Sequence, residues 1–252
     1  MPPRSGVVGQ TERIGARQKQ LEYYRAIAES YDSMYHPQDE LKALTNLVSA
    51  YVRMLDIKSV LDTGCGTGRG MRCLLDNHPG IFIVGNDVSQ DLLDVAVRRN
   101  GIPRGSIVRA SSDMLPFDDN HSDAVLELGM LHHVPRPETI VNEMVWVARR
   151  AVFISDCNRF GHSSWPLRIV KAMLYVAGFW SMANWINTRC KGYMESPGDG
   201  VAYSYSVFDS IPTLARRMNR IVTLPTGGDR VIGGISLFQA SHLLVCGFEK
   251  RR

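Results

Sequence analysis

Residues Val60–Gly70 read V-L-D-T-G-C-G-T-G-R-G: an apolar run, an acidic residue, then four glycines in seven positions. Met71-Arg72-Cys73-Leu74-Leu75 follows with helical spacing, so the segment reads as a strand that turns sharply into a helix. Such a turn offers free helix N–H groups, and missing Cβ atoms let a nucleotide-like ligand approach the backbone. The dinucleotide fingerprint requires G-x-G-x-x-G. Counted from Gly64 the sixth position is Arg69, and from Gly66 it is Met71. D-x-G-x-G-x-G fits throughout, which disfavours a nicotinamide dehydrogenase.

Carboxylates recur after successive strand-like runs. In an open parallel sheet a ligand lies across the carboxyl ends of the strands, and Asp62, Asp87, Asp113 and Glu127 fall near four such ends. Asp87 stands 23 residues beyond Gly64, where a carboxylate can accept both hydroxyls of a ribose. Helix capping together with Ser89 is its alternative role. Asp113-Met114 supplies a carboxylate for an exocyclic amine and a backbone N–H for a ring nitrogen, and Val88 with Met114 can sandwich a base. An ordinary polar turn would use the same residues. Asp62 can orient the glycine loop through backbone N–H groups or hold an ammonium group, and the two roles can coexist.

The elements that must position these groups alternate between strand and helix, which predicts a parallel sheet with helices on both faces. Two N-terminal helices are expected over 20–35 and 38–55, the second with Leu41, Leu44, Leu47, Val48, Tyr51 and Leu55 on one face. Strands are expected at 58–62, 81–85, 106–110, 123–128, 151–155, 220–224 and 241–248. Helices are expected at 67–77, from Ser89 to about Arg99, after Pro135, and at 207–219. Residues 157–206 break the alternation and are rich in Trp, Tyr, Met and Gly, which predicts a helical cap rather than a bare loop. Residues 1–20 are expected to form a flexible tail, with the remaining domain covering 21–252.

Composition narrows the class. The chain has 252 residues, 44% hydrophobic and 21% charged, enough for a globular core. A net charge of +4, partly carried by terminal Arg and Lys, argues against a nucleic-acid partner. Five cysteines without a C-x-x-C pair argue against disulfides and zinc and favour the cytosol. His36, His78, His121, His162 and His242 are scattered, so no metal is expected. Ala172–Thr188 is an uncharged run of 17 residues, but Asn184 and Asn187 leave it short of a membrane span.

The series D-T-G-C-G-T-G, G-N-D-V, S-S-D-M-L-P-F and D-A-V-L-E-L-G-M-L-H-H-V resembles the class I S-adenosylmethionine-dependent methyltransferases. It is most similar to the small-molecule branch that includes ubiquinone and menaquinone biosynthesis enzymes, and Tyr23–Asp32 (Y-Y-R-A-I-A-E-S-Y-D) resembles the segment that opens that branch. The resemblance implies a Rossmann-like seven-stranded, mostly parallel sheet with an antiparallel last strand. It implies S-adenosylmethionine as cofactor, with Gly64, Gly66 and Gly68 at its methionine portion, Asp87 at the ribose and Asp113 with Met114 at the adenine. Backbone at Glu127, Leu128 and Gly129 would face the methionine amine. One departure stands out: Val147-Ala148-Arg149-Arg150-Ala151 replaces the family's glycine-containing turn.

Methyl transfer from a sulfonium is an in-line displacement, so a site must align the nucleophile and exclude water. His132 and His133 follow the fourth strand and are candidates for a base on a protonated acceptor, His132 by a small margin. Capping of the next helix is the alternative for one of them. Tyr31, Tyr35, Tyr203 and Tyr205 can close over the cofactor, line the acceptor pocket or simply pack the cap, and Asp156 and Asn158 can bind a polar group. The apolar content of 165–186 suits an apolar or aromatic small-molecule acceptor, a water-shedding lid, burial against the sheet or a homodimer interface alike. Competing functions are a nucleic-acid or protein methyltransferase and a catalytically inactive cofactor-binding protein. Against the amino-methylating nucleic-acid type, Glu127-Leu128-Gly129-Met130 stands where D/N-P-P-Y/F is expected.

Overall fold

The computed structural model describes residues 8–34, 38–227 and 236–249. Tyr35, His36, Gly228, Asp229, Gly233 and Gly234 lie outside them. The strands are β1 (Ser59–Thr63), β2 (Phe82–Asp87), β3 (Ile107–Arg109), β4 (Ser122–Leu128), β5 (Ala148–Cys157), β6 (Tyr193–Ser196), β7 (Gly200–Tyr203), β8 (Arg220–Gly227) and β9 (His242–Phe248). Seven of them form one sheet in the order β3-β2-β1-β4-β5-β9-β8, and β6 with β7 forms a separate hairpin. Strands β1 to β5 run parallel, while β9 is antiparallel to both β5 and β8.

Strands buried on both faces read as continuous apolar runs, and successive residues of β1 and β4 face opposite layers. Leu61 and Val125 join Ile140, Val141 and Met144 of helix α6 (Pro137–Val147) on one side. Val60 and Leu126 join the other layer, built from α3 (Gln38–Met54), α4 (Arg69–Asn77) and α5 (Gln90–Arg98). Ser89 caps α5 by accepting the Leu92 N–H. Strand β5 begins at Ala148, directly after α6, so it is longer than its apolar run predicts. In place of a glycine turn, Arg149 forms an ion pair with Asp123 at 2.8 Å.

The N-terminus differs from expectation. Helix α1 runs from Val8 to Ile27, so residues 8–20 are helical rather than tail, and a short α2 (Tyr31–Met34) follows. Tertiary contacts stabilise α1: Ala16 is buried, Lys19 pairs with Glu195 at 2.9 Å, and Gln20 accepts the Val201 N–H at 2.6 Å. Asp32 of α2 accepts hydrogen bonds from Thr67 and Asn100 and pairs with Arg69. Residues 157–206 hold α7 (Trp165–Val176), α8 (Trp180–Asn187) and the β6–β7 hairpin. The expected helix at 207–219 is a 3₁₀ turn followed by α9 (Ile211–Leu214). Pro212 lies in its first turn, where it is compatible with a helix. Among the described residues, no helix is long and apolar enough to cross a membrane.

Candidate functional site

A cavity of about 430 Å³ lies at the carboxyl ends of β1, β2 and β4. Its sheet side is formed by Gly64, Gly66, Asp87, Val88, Asp113, Leu128 and Gly129. Arg17, Gln20, Leu21, Tyr24 and Tyr31 cover it from the N-terminal helices, and His133, Arg136 and Tyr203 complete the wall.

The loop after β1 is held by β2. The N–H groups of Gly64 and Cys65 both donate to Asn86 O, at 2.8 and 3.0 Å. Asp87 Oδ2 accepts the Gly66 N–H at 3.0 Å and Oδ1 accepts the Ser89 N–H at 2.8 Å. Asp87 therefore organises both the loop and the start of α5 while still lining the cavity. Gly64 sits at φ +71°, and a Cβ there would lie 2.8 Å from Met130 Cγ.

Two expected site residues do not line the cavity. At Gly68 a Cβ would meet Ile102 Cγ1 at 2.7 Å, so this glycine makes room for packing. The Met114 side chain is 78% exposed and does not line the cavity with Val88. Its own N–H donates to Ser111 O, and the Leu115 N–H is taken by Glu143 Oε2, which turns the Met114 side chain outward.

The acidic residues divide by partner. Asp62 is buried, and its Oδ1 has no hydrogen-bond partner among the described residues. Burial, and then the neighbouring Asp87 charge, push its carboxyl up to about 8. Asp62 thus does not orient the loop; Asn86 and Asp87 do. Glu127 is also fully buried, and its Oε1 accepts the N–H groups of Met130 and Leu131, shaping the turn that exposes Leu128 and Gly129. Burial and then Asp156 raise its carboxyl well above the usual range.

The two histidines have different surroundings. His132 Nδ1 lies 2.6 Å from Asp156 Oδ1 and its Nε2 lies 3.6 Å from Asp199 Oδ2. Burial opposes a charge on His132, but Asp156 and Asp199 outweigh it and raise its pKa well above the imidazole value. His133 lines the cavity, with Nδ1 2.7 Å from Val201 O and Nε2 3.5 Å from Asp199 Oδ1. Burial, and then the His132 charge, lower its pKa to about 4. At neutral pH, His133 is uncharged. A carbonyl can only accept, so Nδ1 carries the proton and Nε2 the lone pair. Both ring nitrogens of His132, in contrast, face carboxylates.

Ligand-type atoms of His132, His133 and Asp199, and of His132, Asp156 and Cys157, lie within 4.8 Å of one another in each group. Scattered histidines gave no hint of this convergence, which Asp156 and Asp199 create. Asp199 lies in the β6–β7 turn, and its backbone O accepts from Gln20 Nε2 at 3.4 Å. Nothing in its sequence neighbourhood marks it. Tyr31 and Tyr203 line the cavity as expected, whereas Tyr205 is buried against Ser210. Asn158 donates to Leu237 O and Ala240 O and so braces the segment before β9.

Residues 61–154 match the family model described as a methyltransferase domain. The chain is similar to a ubiquinone biosynthesis O-methyltransferase of Xylella fastidiosa, 30% identical over 152 residues, 57% of this chain and 61% of that protein. A fatty-acid O-methyltransferase of Mycolicibacterium smegmatis is 33% identical over 92 residues, 36% of this chain and 34% of its own. The chain thus spans less than two thirds of these curated relatives. Among solved structures, magnesium protoporphyrin IX methyltransferase from Synechocystis with bound SAH superposes at a TM-score of 0.60 with 14% identity, covering 93% of this chain and all of that one. Residues 61–154 thus form a methyltransferase domain, and the sheet order and the glycine loop between β1 and α4 are those of the Rossmann-like methyltransferase fold.

Proposed function

We propose that the chain transfers a methyl group from S-adenosylmethionine to the oxygen of a small, largely apolar acceptor. The observation that carries this reading is one cavity with the Gly64–Gly66 loop and Asp87 on one side and a neutral imidazole, His133, on another. The residues present fit the cofactor: Asp62 Oδ1 is a buried acceptor without a partner among the described residues, suited to an ammonium group directly or through water. Asp87 would accept hydrogen bonds from the ribose hydroxyls, Val88 would pack on the base and Asp113 would accept from the exocyclic amine. Gly64, Gly66, Leu128 and Gly129 offer backbone to the methionine portion.

When bound, S-adenosylmethionine supplies a methyl group on a positively charged sulfur, which an in-line nucleophile displaces. The chain's own part is alignment, exclusion of water and handling of one proton. Met130, Val134 and Ile140 give the cavity an apolar wall, while Arg17 and Arg136 place cationic groups at it. His133 Nε2 takes the acceptor's hydroxyl proton, and the resulting imidazolium faces Asp199. His132, charged between Asp156 and Asp199, holds Asp199 near His133. Residues 157–206 act as the cap, since their hairpin brings Asp199 and Tyr203 to the site. The names of the oxygen-methylating relatives support an oxygen nucleophile.

Incubation with methyl-labelled S-adenosylmethionine and separate panels of phenols and quinols, fatty carboxylic acids, and amines tests the reading. Label is expected in the oxygen acceptors. Transfer confined to amines would remove the oxygen assignment, and transfer only to protein or nucleic acid would remove the small-molecule one.

A further inference from the structure

Helices α7 and α8 contain no buried residue, although both are predominantly apolar. Between Trp165 and Ile186, eleven large apolar side chains are exposed, among them Trp165, Met173, Val176, Phe179, Met182 and Trp185. Val176, beside the turn that joins the helices, is 86% exposed. A helix that is apolar around most of its circumference is ordinarily buried, and an exposed apolar surface of this kind marks an interaction site.

Charge identifies the occupant. From Cys157 to Met194 the chain has no Asp or Glu, and it carries Arg159, Arg168, Lys171, Arg189 and Lys191. Arg159 is paired with Asp209, and Lys191 lies 3.7 Å from Glu195. Arg168 and Lys171 instead donate to the backbone oxygens of Ser163 and His162, and Arg189 is exposed. Three of the four tryptophans, Trp165, Trp180 and Trp185, lie in this stretch. Tryptophan and basic residues around an apolar surface suit the boundary between acyl chains and anionic headgroups. A second copy of the chain fits less well, because a two-fold interface brings the same patch against itself and so opposes like charges.

We infer that the α7–α8 helical pair is an interfacial docking surface for an anionic lipid bilayer, lying on the membrane with its apolar side chains among the acyl chains. The helices are too short to span, at 12 and 8 residues. Docking in this way does not depend on methyl-transfer activity.

Sedimentation of the full chain with vesicles of phosphatidylglycerol and phosphatidylcholine, compared with phosphatidylcholine alone, tests the inference. The chain is expected to sediment with the anionic vesicles, with a blue shift of tryptophan emission as Trp165 and Trp185 leave water. The triple variant V176D/F179D/M182D replaces exposed side chains and should keep the wild-type circular dichroism. It is expected to lose vesicle affinity by about tenfold or more. Equal binding by the variant, or no binding of the wild type to anionic vesicles, would overturn the inference. So would a wild-type dimer in sedimentation velocity that the triple variant abolishes while neither protein binds vesicles; that outcome assigns the face to a second copy.

Discussion

Asp87→Ala is expected to weaken S-adenosylhomocysteine binding by about a hundredfold, the equivalent of about 3 kcal/mol. The carboxylate is only 7% exposed and lines the cavity beside Val88. Hydrogen bonds to a charged group contribute about 1.5–3 kcal/mol each, and two ribose hydroxyls would be lost together. The same substitution frees the Gly66 and Ser89 N–H groups that the carboxylate now holds. Calorimetry on the variant measures the loss, and thermal unfolding separates it from the weaker loop. Asp87→Asn keeps one acceptor oxygen and should fall between the two. Unchanged affinity in Asp87→Ala would remove the ribose assignment.

His133→Ala should lower kcat by about 10²–10⁴-fold, the usual contribution of a general base, while S-adenosylhomocysteine affinity stays close to wild type. His132→Ala should act differently. Removing it strips Asp156, whose side chain has no solvent exposure, of its cationic partner. Breaking a buried pair from one side costs about 3–5 kcal/mol, which urea unfolding would register. The pH dependences also differ in sign. His132 has a raised pKa in the fold, so the stability it contributes is complete below about 6.5 and is lost as pH rises through its folded pKa. The wild-type advantage over His132→Ala should therefore shrink toward alkaline pH. His133 has a folded pKa of about 4, so its contribution is present above 6.5 and is lost as pH falls toward that value. Turnover should be level from neutral pH upward and fall only in acid. Full turnover in His133→Ala would leave alignment alone to carry the transfer.

The contrast between the two histidines shows where reading the sequence stops. The sheet was legible because its strands are apolar runs and its turns carry local chemistry: Ser89 caps α5, and the glycines bend the loop after β1. Asp87 was legible for the same reason, since loop, strand and carboxylate lie within one β-α-β unit. The assignment of His132 and His133 depends on Asp199, more than sixty residues later, and on the hairpin that α1 holds through Gln20. No local pattern encodes that contact. Helix α1 was foreseen only from residue 20, because its earlier turns are mostly polar and are held by tertiary contacts rather than by an apolar stripe. Gly68 and Met114 stay out of the cavity wall for a related reason. A motif fixes where the backbone turns, while Ile102 and Glu143 decide which side of the turn meets the cavity.

The central claim is that this glycine loop and its carboxylates receive a sulfonium cofactor. Asp87 and Asp113 bring carboxyl groups to the cavity, an arrangement that disfavours a diphosphate and suits ribose hydroxyls and an exocyclic amine. Calorimetric titration of the wild-type chain with S-adenosylhomocysteine and, separately, with NAD tests this most directly. Saturable binding of S-adenosylhomocysteine at one site is expected, with no comparable heat from NAD. Preferential binding of NAD would contradict it.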